Sequence, residues 1–258
     1  MYPILFRIGS FEIPSFGVAL ALGILLAWTY FRKQFSAGEN HEALASLITY
    51  AVLAGLAGSR INYMLEHLDM IQSFRDFAGI LFARSGLTVY GGLIAGTVTA
   101  YLYARKHQLS VARILDAGAP AICIGYFFGR LGCQLAGDGD YGIPSSLPLA
   151  MAYPNGTVPT LERVHPTPLY EMFLYFLIFM ILRIASKKLR PGKTFALFLV
   201  LAGLERFLIE FLRTNPVILW GVTEAQIVSL VIMAAGLAGL SRRTGGEDAL
   251  QHHRVRRA

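Results

Sequence analysis

Apolar residues along this chain gather into long runs separated by short polar punctuation. The runs are close to 20 residues each, the length an α-helix needs to cross a hydrocarbon core. Seven runs predict helical spans at about residues 14–31, 43–65, 86–104, 114–133, 166–184, 194–212 and 223–240. Basic residues follow every second one: Arg32 and Lys33; Arg105 and Lys106; Lys187, Lys188, Arg190 and Lys193; Arg242 and Arg243. Lys/Arg-rich connections stay on the cytoplasmic side. The pattern therefore predicts an external amino terminus, a cytoplasmic carboxyl terminus and even-numbered connections on the outer face. The expected architecture is an all-α polytopic membrane protein. It has a single integral-membrane domain over residues 1–244 and a short, disordered, basic cytoplasmic tail over 245–258. The segment 134–165 contains Pro144, Pro148, Pro154 and Pro159 with little apolar periodicity, and predicts an ordered outer-face loop or small cap.

Composition agrees, because 55% of residues are hydrophobic and only 15% charged, against roughly 25% charged in soluble domains. The net charge of +7 does not point to nucleic acid, since the basic residues sit in short clusters between apolar runs. Two cysteines, Cys123 and Cys133, are too few for a disulfide framework or a paired zinc motif. Residues 1–15 include Glu12 and two prolines and lack a basic start, so the first span itself is expected to direct insertion.

Charged residues near the ends of these spans are the exception to the pattern, and at membrane depth each costs several kcal/mol unless paired or solvated. Residues 129–142, GRLGCQLAGDGDYG, place Arg130, Cys133, Asp138 and Asp140 at the end of the fourth span. Residues 164–171, VHPTPLYE, put Pro166 at a first helical turn with Glu171 about one turn inside the span. Read alone, that segment is either an interfacial helix start, with His165 and Tyr170 at headgroup level, or a functional carboxylate beside a titratable histidine. In GLERFLIEFLR, residues 203–213, Arg206, Glu210 and Arg213 share one helical face. They read either as an ion-pair ladder or as a device presenting a surplus guanidinium to phosphate, with Arg206 the deeper candidate. Glu205 lies on another face, and a partner across helices is one reading of it. In RSGLTVYGGLIAG, residues 84–96, the small residues Gly91, Gly92 and Gly96 read first as close helix packing, and Tyr90 as a belt or packing tyrosine.

Taken in order, these segments resemble the prolipoprotein diacylglyceryl transferase family, bacterial inner-membrane enzymes that attach a diacylglyceryl group to a lipobox cysteine. The resemblance rests on an FG-containing first span, GSRINY at 58–63, YGGLIAG at 90–96, GRLG at 129–132, HPTPLYE at 165–171 and ERFLIEFLR at 205–213. It implies attack by a preprolipoprotein thiolate on the glyceryl carbon of phosphatidylglycerol, releasing glycerol phosphate, with no metal or cofactor. The implied partners are phosphatidylglycerol, preprolipoprotein signal peptides and membrane lipids, at a site on the periplasmic side. By the same resemblance Arg130 and Arg206 hold the headgroup or stabilise the leaving phosphate, and Glu171 and Glu210 orient them or accept headgroup hydrogen bonds. Tyr170, Gly91, Gly92 and Gly142 are carried over as substrate-side positions.

The chain departs from the family pattern at several of these places. Tyr90 stands where the family usually has histidine before the glycine pair. Cys133, Ala136 and Asp138 stand in a signature that usually continues with asparagines and a glutamate, with one extra residue before Gly142. A phenol does not replace an imidazole base, and a thiol lacks an amide's paired donor and acceptor. The catalytic candidates are therefore Arg130, Arg206, Asp138, His165 and Tyr90, with the thiol proton passing to His165, Asp138 or water. Two other readings stand beside this one. One is a divergent member that binds phospholipid but uses another acceptor or none. The other is a lipid-binding or transporter-type protein, whose mark, an inverted repeat, the sequence does not show.

Overall fold

A computed structural model of the chain describes residues 1–9, 11–35, 41–68, 73, 77, 79–80, 88–219 and 221–242. Among the described residues, seven long helices lie where the apolar runs predict them: α1 (Ser15–Arg32), α2 (His41–Glu66), α3 (Val89–Lys106), α4 (Val111–Ala136), α5 (Thr167–Ala185), α6 (Lys193–Ile209) and α7 (Glu224–Ser241). Five of them, α1, α2, α4, α5 and α7, are long and apolar enough to cross a membrane. Arg84, Arg243 and the tail over residues 245–258 lie outside the described residues.

The all-α expectation needs one amendment: the described residues also form three two-stranded antiparallel hairpins. These are β1 (Ile4–Ile8) with β2 (Phe11–Pro14), β3 (Met151–Tyr153) with β4 (Thr160–Val164), and β5 (Val217–Leu219) with β6 (Val222–Thr223). The first and third run directly into α1 and α7, and the second leads into α5 through His165 and Pro166. Strands this short show too few alternating positions to stand out from a loop.

The chain forms two compact units. In the unit Trp28–Ile114, α2 and α3 cross at their small residues. A Cβ on Gly58 would meet the Gly91 carbonyl and Ala95, and one on Gly92 would meet the Gly55 carbonyl. Ser59 Oγ donates to the Thr88 carbonyl (2.6 Å), and Thr88 Oγ1 donates back to the Ser59 carbonyl (3.1 Å).

The other unit, Met1–Ala27 with Leu115–Ala258, holds most of α1 and α4 together with α5, α6 and α7. At one end the Asp116 carboxylate, on α4, accepts from the Gly192 N–H (2.5 Å) and the Phe195 N–H (2.8 Å). It thereby caps α6, whose own N-cap, Gly192, has no side chain to do so. Lys193 Nζ then donates to the Gly239, Leu240 and Arg242 carbonyls (2.8, 3.0 and 2.5 Å), closing the C-terminus of α7. Two side chains thus tie three helices at that end. At the opposite end the close of α4, the start of α5, the close of α6 and the start of α7 converge. Backbone bonds mark this: Tyr2 N–H to the Leu135 carbonyl (2.8 Å), Gly142 N–H to the His165 carbonyl (2.8 Å) and Ile143 N–H to the Leu212 carbonyl (2.8 Å). Between the ends an apolar cluster of Ala119, Cys123, Tyr175, Ile178, Leu182 and Phe198 joins α4, α5 and α6.

Replacing Asp116 by alanine strips α6 of its cap, an expected loss of about 1–2 kcal/mol. A thermal melt of the detergent-purified protein should fall by a few degrees, and Asp116→Asn, which keeps an acceptor, should fall by less.

Candidate functional site

The convergent end of the second unit gathers charges that neither hairpins nor apolar helices need. Tyr126, Arg130 and Cys133 come from the last turns of α4, one helical turn apart. Asp138 and Asp140 follow on a loop shaped by Gly137 and Gly139, both with left-handed backbone (φ +60° and +95°). Thr167 and Glu171 come from the start of α5, Glu205 and Arg206 from the end of α6. Glu210 opens the 3-10 turn Glu210–Leu212, and Arg213 follows it.

Four of these residues close a ring of alternating charge. Arg130 pairs through Nε with Glu171 Oε2 and through Nη1 with Asp140 Oδ2. Arg213 completes the circuit, with Nη2 at 2.5 Å from Asp140 Oδ1 and Nη1 at 3.4 Å from Glu171 Oε1. Glu171 has no solvent exposure at all, and a bare carboxylate there would cost several kcal/mol. The Tyr126 hydroxyl adds a bond to Glu171 Oε2 (3.1 Å) while accepting one from Arg130 Nη2 (2.7 Å). Thr167 Oγ1 donates to the Asp140 carbonyl, fixing the loop to α5.

Arg206 sits beside the ring and is held more loosely. Its Nη2 pairs with Glu210 Oε2 at 2.7 Å, the i,i+4 contact that the sequence spacing implies, but Nη1 reaches Glu171 Oε1 only at 3.8 Å. That Nη1 is buried without a hydrogen bond. Glu210 is fixed from its other side by Asn215 Nδ2 (2.7 Å) and Thr223 Oγ1 (2.8 Å). Thr223 in turn forms a capping box with Gln226 at the start of α7. Glu205 is buried at 3% exposure, and neither carboxylate oxygen has a hydrogen-bond partner, so no bond across helices satisfies it.

The structure thus brings together Arg130, Arg206, Glu171 and Glu210, with Asp138 alongside. Asp140, rather than Asp138, makes the arginine contacts; Asp138 Oδ1 accepts from the Asp140 N–H (3.3 Å). Gly142 lies tight against the Leu212 carbonyl, Thr167 and His165, where any side chain would collide. His165 Nδ1 lies 3.3 Å from the Tyr170 hydroxyl. Tyr90, Gly91 and Gly92 belong to the first unit, at the start of α3; the Tyr90 side chain lies outside the described ones. Tyr126 escaped the sequence reading, although its spacing of four from Arg130 marks a shared face. Cys133, Asp138 and Asp140 place one ligand atom each within 4.8 Å of one another. Two guanidiniums already hold Asp140, so this set does not suit a cation. Beyond the ring, burial pushes the Tyr153 phenol up to about 12, keeping it a donor to Gln134 Oε1 (3.0 Å) at the base of the β3–β4 hairpin.

Comparison with known proteins places this site in context. A family model described as prolipoprotein diacylglyceryl transferase matches residues 3–242. A phosphatidylglycerol–prolipoprotein diacylglyceryl transferase of Clostridium tetani is 31% identical over 219 residues, covering 84% of this chain and 87% of the relative. Proteins of the same description from Dehalococcoides mccartyi (30% identical, 90% of each chain) and Thermotoga maritima (31% identical, 91% of this chain and 82% of the relative) are similar to it as well.

Removing the shared, fully buried carboxylate leaves three partly buried guanidiniums under-compensated. Glu171→Gln is expected to lose about 3–5 kcal/mol, read as a large drop in melting temperature. For Asp140, burial alone would raise the carboxyl, but Arg130 and then Arg213 outweigh it and hold the group below its ordinary value of 3.8. With a lowered folded value, its stabilisation is complete above the ordinary value and is lost as pH falls through the folded one. The melting-temperature gap between the native protein and Asp140→Asn should therefore be flat from about pH 8 to about pH 5 and shrink below about pH 4.

Proposed function

The chain belongs to the prolipoprotein diacylglyceryl transferase family, and on that premise we propose that the ring of arginines and carboxylates is its catalytic centre. The reaction moves a diacylglyceryl group from phosphatidylglycerol to the cysteine thiol of a preprolipoprotein. The observation that carries this reading is the concentration of Arg130, Arg206 and Arg213 at one end of apolar helices, in a chain that the family model matches over residues 3–242. The relatives' names favour transfer over the non-catalytic and transporter readings.

The chemistry asks for three things of these residues. The thiol gives up its proton, sulfur forms a bond to the glyceryl carbon, and the carbon–oxygen bond to phosphate breaks, so that glycerol phosphate departs with the electron pair. Negative charge therefore grows on phosphate oxygen, which preorganised guanidiniums stabilise more in the transition state than in the ground state. Arg206 Nη1, buried and without a hydrogen bond, has a donor to give without breaking a short pair. Arg130 is the second phosphate ligand, oriented by Glu171 and Asp140. Glu210 holds Arg206 in place. His165, Asp138 and water are the acceptors for the thiol proton, with Tyr170 positioned on His165. Tyr90, Gly91, Gly92 and Gly142 are assigned to the substrate side on the resemblance of their motifs.

The same reading places the protein in the bacterial inner membrane as one integral domain of seven spans, with the site toward the periplasm and the tail in the cytoplasm. Supporting the count, α3 and α6, of 18 and 17 residues, stand at the predicted third and sixth positions. Supporting the orientation, basic residues follow α1, α3, α5 and α7. Preprolipoprotein signal peptides and phosphatidylglycerol then approach from the bilayer.

The test is transfer by the purified protein in nanodiscs, with phosphatidylglycerol and a lipobox peptide, read as peptide mass gain and glycerol phosphate release. Arg206→Ala should lower kcat about 10²–10³-fold, as expected for loss of a charge-stabilising donor. Arg206→Lys, which keeps charge but loses the fork, should fall between. Full activity in a folded Arg206→Ala protein defeats the assignment.

A further inference from the structure

One group at the site has no task in the chemistry above. Glu205 is 3% exposed, and both carboxylate oxygens lack a hydrogen-bond partner. Asp140 and Glu171 pair with Arg130 and Arg213, Glu210 pairs with Arg206 and accepts from Asn215 and Thr223 through Oε1, and Asp138 accepts from the Asp140 N–H. Of these five carboxyl groups Glu205 is the one with neither oxygen bonded and no ion pair. Its side chain is not remote from the centre, for it interacts electrostatically with Glu171, Arg130, Arg206 and Arg213. It also interacts with the stacked pair Tyr126 and Tyr175, whose ring centroids are 3.8 Å apart.

A buried carboxyl group without a hydrogen-bond partner is costly whether charged or neutral, so a ligand that brings partners is favoured there. The neighbouring residue shows the opposite vacancy: Arg206 Nη1 is a buried donor without an acceptor. An unpartnered guanidinium donor and an unpartnered carboxyl group from adjacent residues are complementary to a group with anionic oxygens at one end and hydroxyls at the other. The headgroup of phosphatidylglycerol has this construction, a phosphate followed by a diol. We propose that Glu205 accepts hydrogen bonds from the headgroup hydroxyls while Arg206 holds the phosphate, making Glu205 a specificity-determining residue for the lipid substrate. The assignment rests on the transferase reading. It deepens that reading by naming what distinguishes this lipid from other anionic phospholipids. Sites built to bond a substrate hydroxyl reject analogues that lack it, because the buried partner is left unpaired.

The experiment compares phosphatidylglycerol with phosphatidylpropanol, which keeps the phosphate and the three-carbon chain but has no headgroup hydroxyl. The readout is the ratio of kcat/KM for the two lipids in nanodiscs, with one lipobox peptide. The native protein is expected to prefer phosphatidylglycerol by at least about tenfold, and Glu205→Leu to bring the ratio close to one. Glu205→Gln, which keeps the shape and one acceptor oxygen, should give an intermediate ratio, and it decides the matter if the leucine variant does not fold. A merely structural role lowers both lipids together and leaves the ratio unchanged. An unchanged ratio in the glutamine variant, or a native protein indifferent to the two lipids, overturns the proposal. Transfer from neither lipid by the native protein overturns the transferase reading itself, and this assignment with it.

Discussion

Glu171 sits where a carboxylate is hardest to keep, one turn inside an apolar helix and without solvent exposure. Its charge is tolerable only because guanidiniums from α4 and from the segment after α6 reach it, with a tyrosine hydroxyl added. Those guanidiniums are themselves shared with Asp140. A closed ring follows, in which no member can leave without unpairing its neighbours' charge. The ends of α4, α5 and α6 are therefore fixed relative to one another by electrostatics, while Asp116 and Lys193 tie α4, α6 and α7 at the opposite end by capping. Side-chain packing fills what lies between.

Such a ring holds arginines partly shielded from solvent, and its pairs are not equal. Arg130 and Arg213 are each bound to two carboxylates within the ring. Arg206 has one firm partner in Glu210 and one distant partner in Glu171. A phosphate entering this end finds its least costly ligand in Arg206, since accepting from Nη1 breaks no hydrogen bond. The same phosphate at Arg213 would compete with Asp140 at 2.5 Å. Rigidity in one pair and availability in the other are what preorganised charge stabilisation requires.

Much of this was legible in the sequence, and the limits have physical causes. Apolar runs gave the helices because burial and helix length act within one segment. The Arg206–Glu210 pair was readable because its partners are one turn apart on one helix. The pairing of Asp140 with Arg213 joins residues 73 positions apart, and no local periodicity carries it. The preference for Asp140 over Asp138 is set by two left-handed glycines that turn the loop. Motif spacing pointed to Asp138, and the contacts to the arginines are made by Asp140 two residues on. The hairpins were missed for a different reason, since β3 and β5 have three residues each.

The loop also bears on the departures from the family pattern around Arg130. Cys133 and Ala136 are both buried, and neither offers the paired donor and acceptor of an amide. Cys133 Sγ lies 3.9 Å from Arg130 Nη1, a weak contact. The Ala136 carbonyl is spent on Thr157, accepting from its N–H (2.9 Å) and its hydroxyl (3.2 Å). Polar support for the arginine comes instead from the loop, where Asp140 takes Nη1 and is itself steadied by Arg213 and Thr167. The guanidinium is thus oriented by a carboxylate off the helix that carries it, and what that contact requires is the placement of the loop, which Gly137 and Gly139 turn and Thr167 ties to α5.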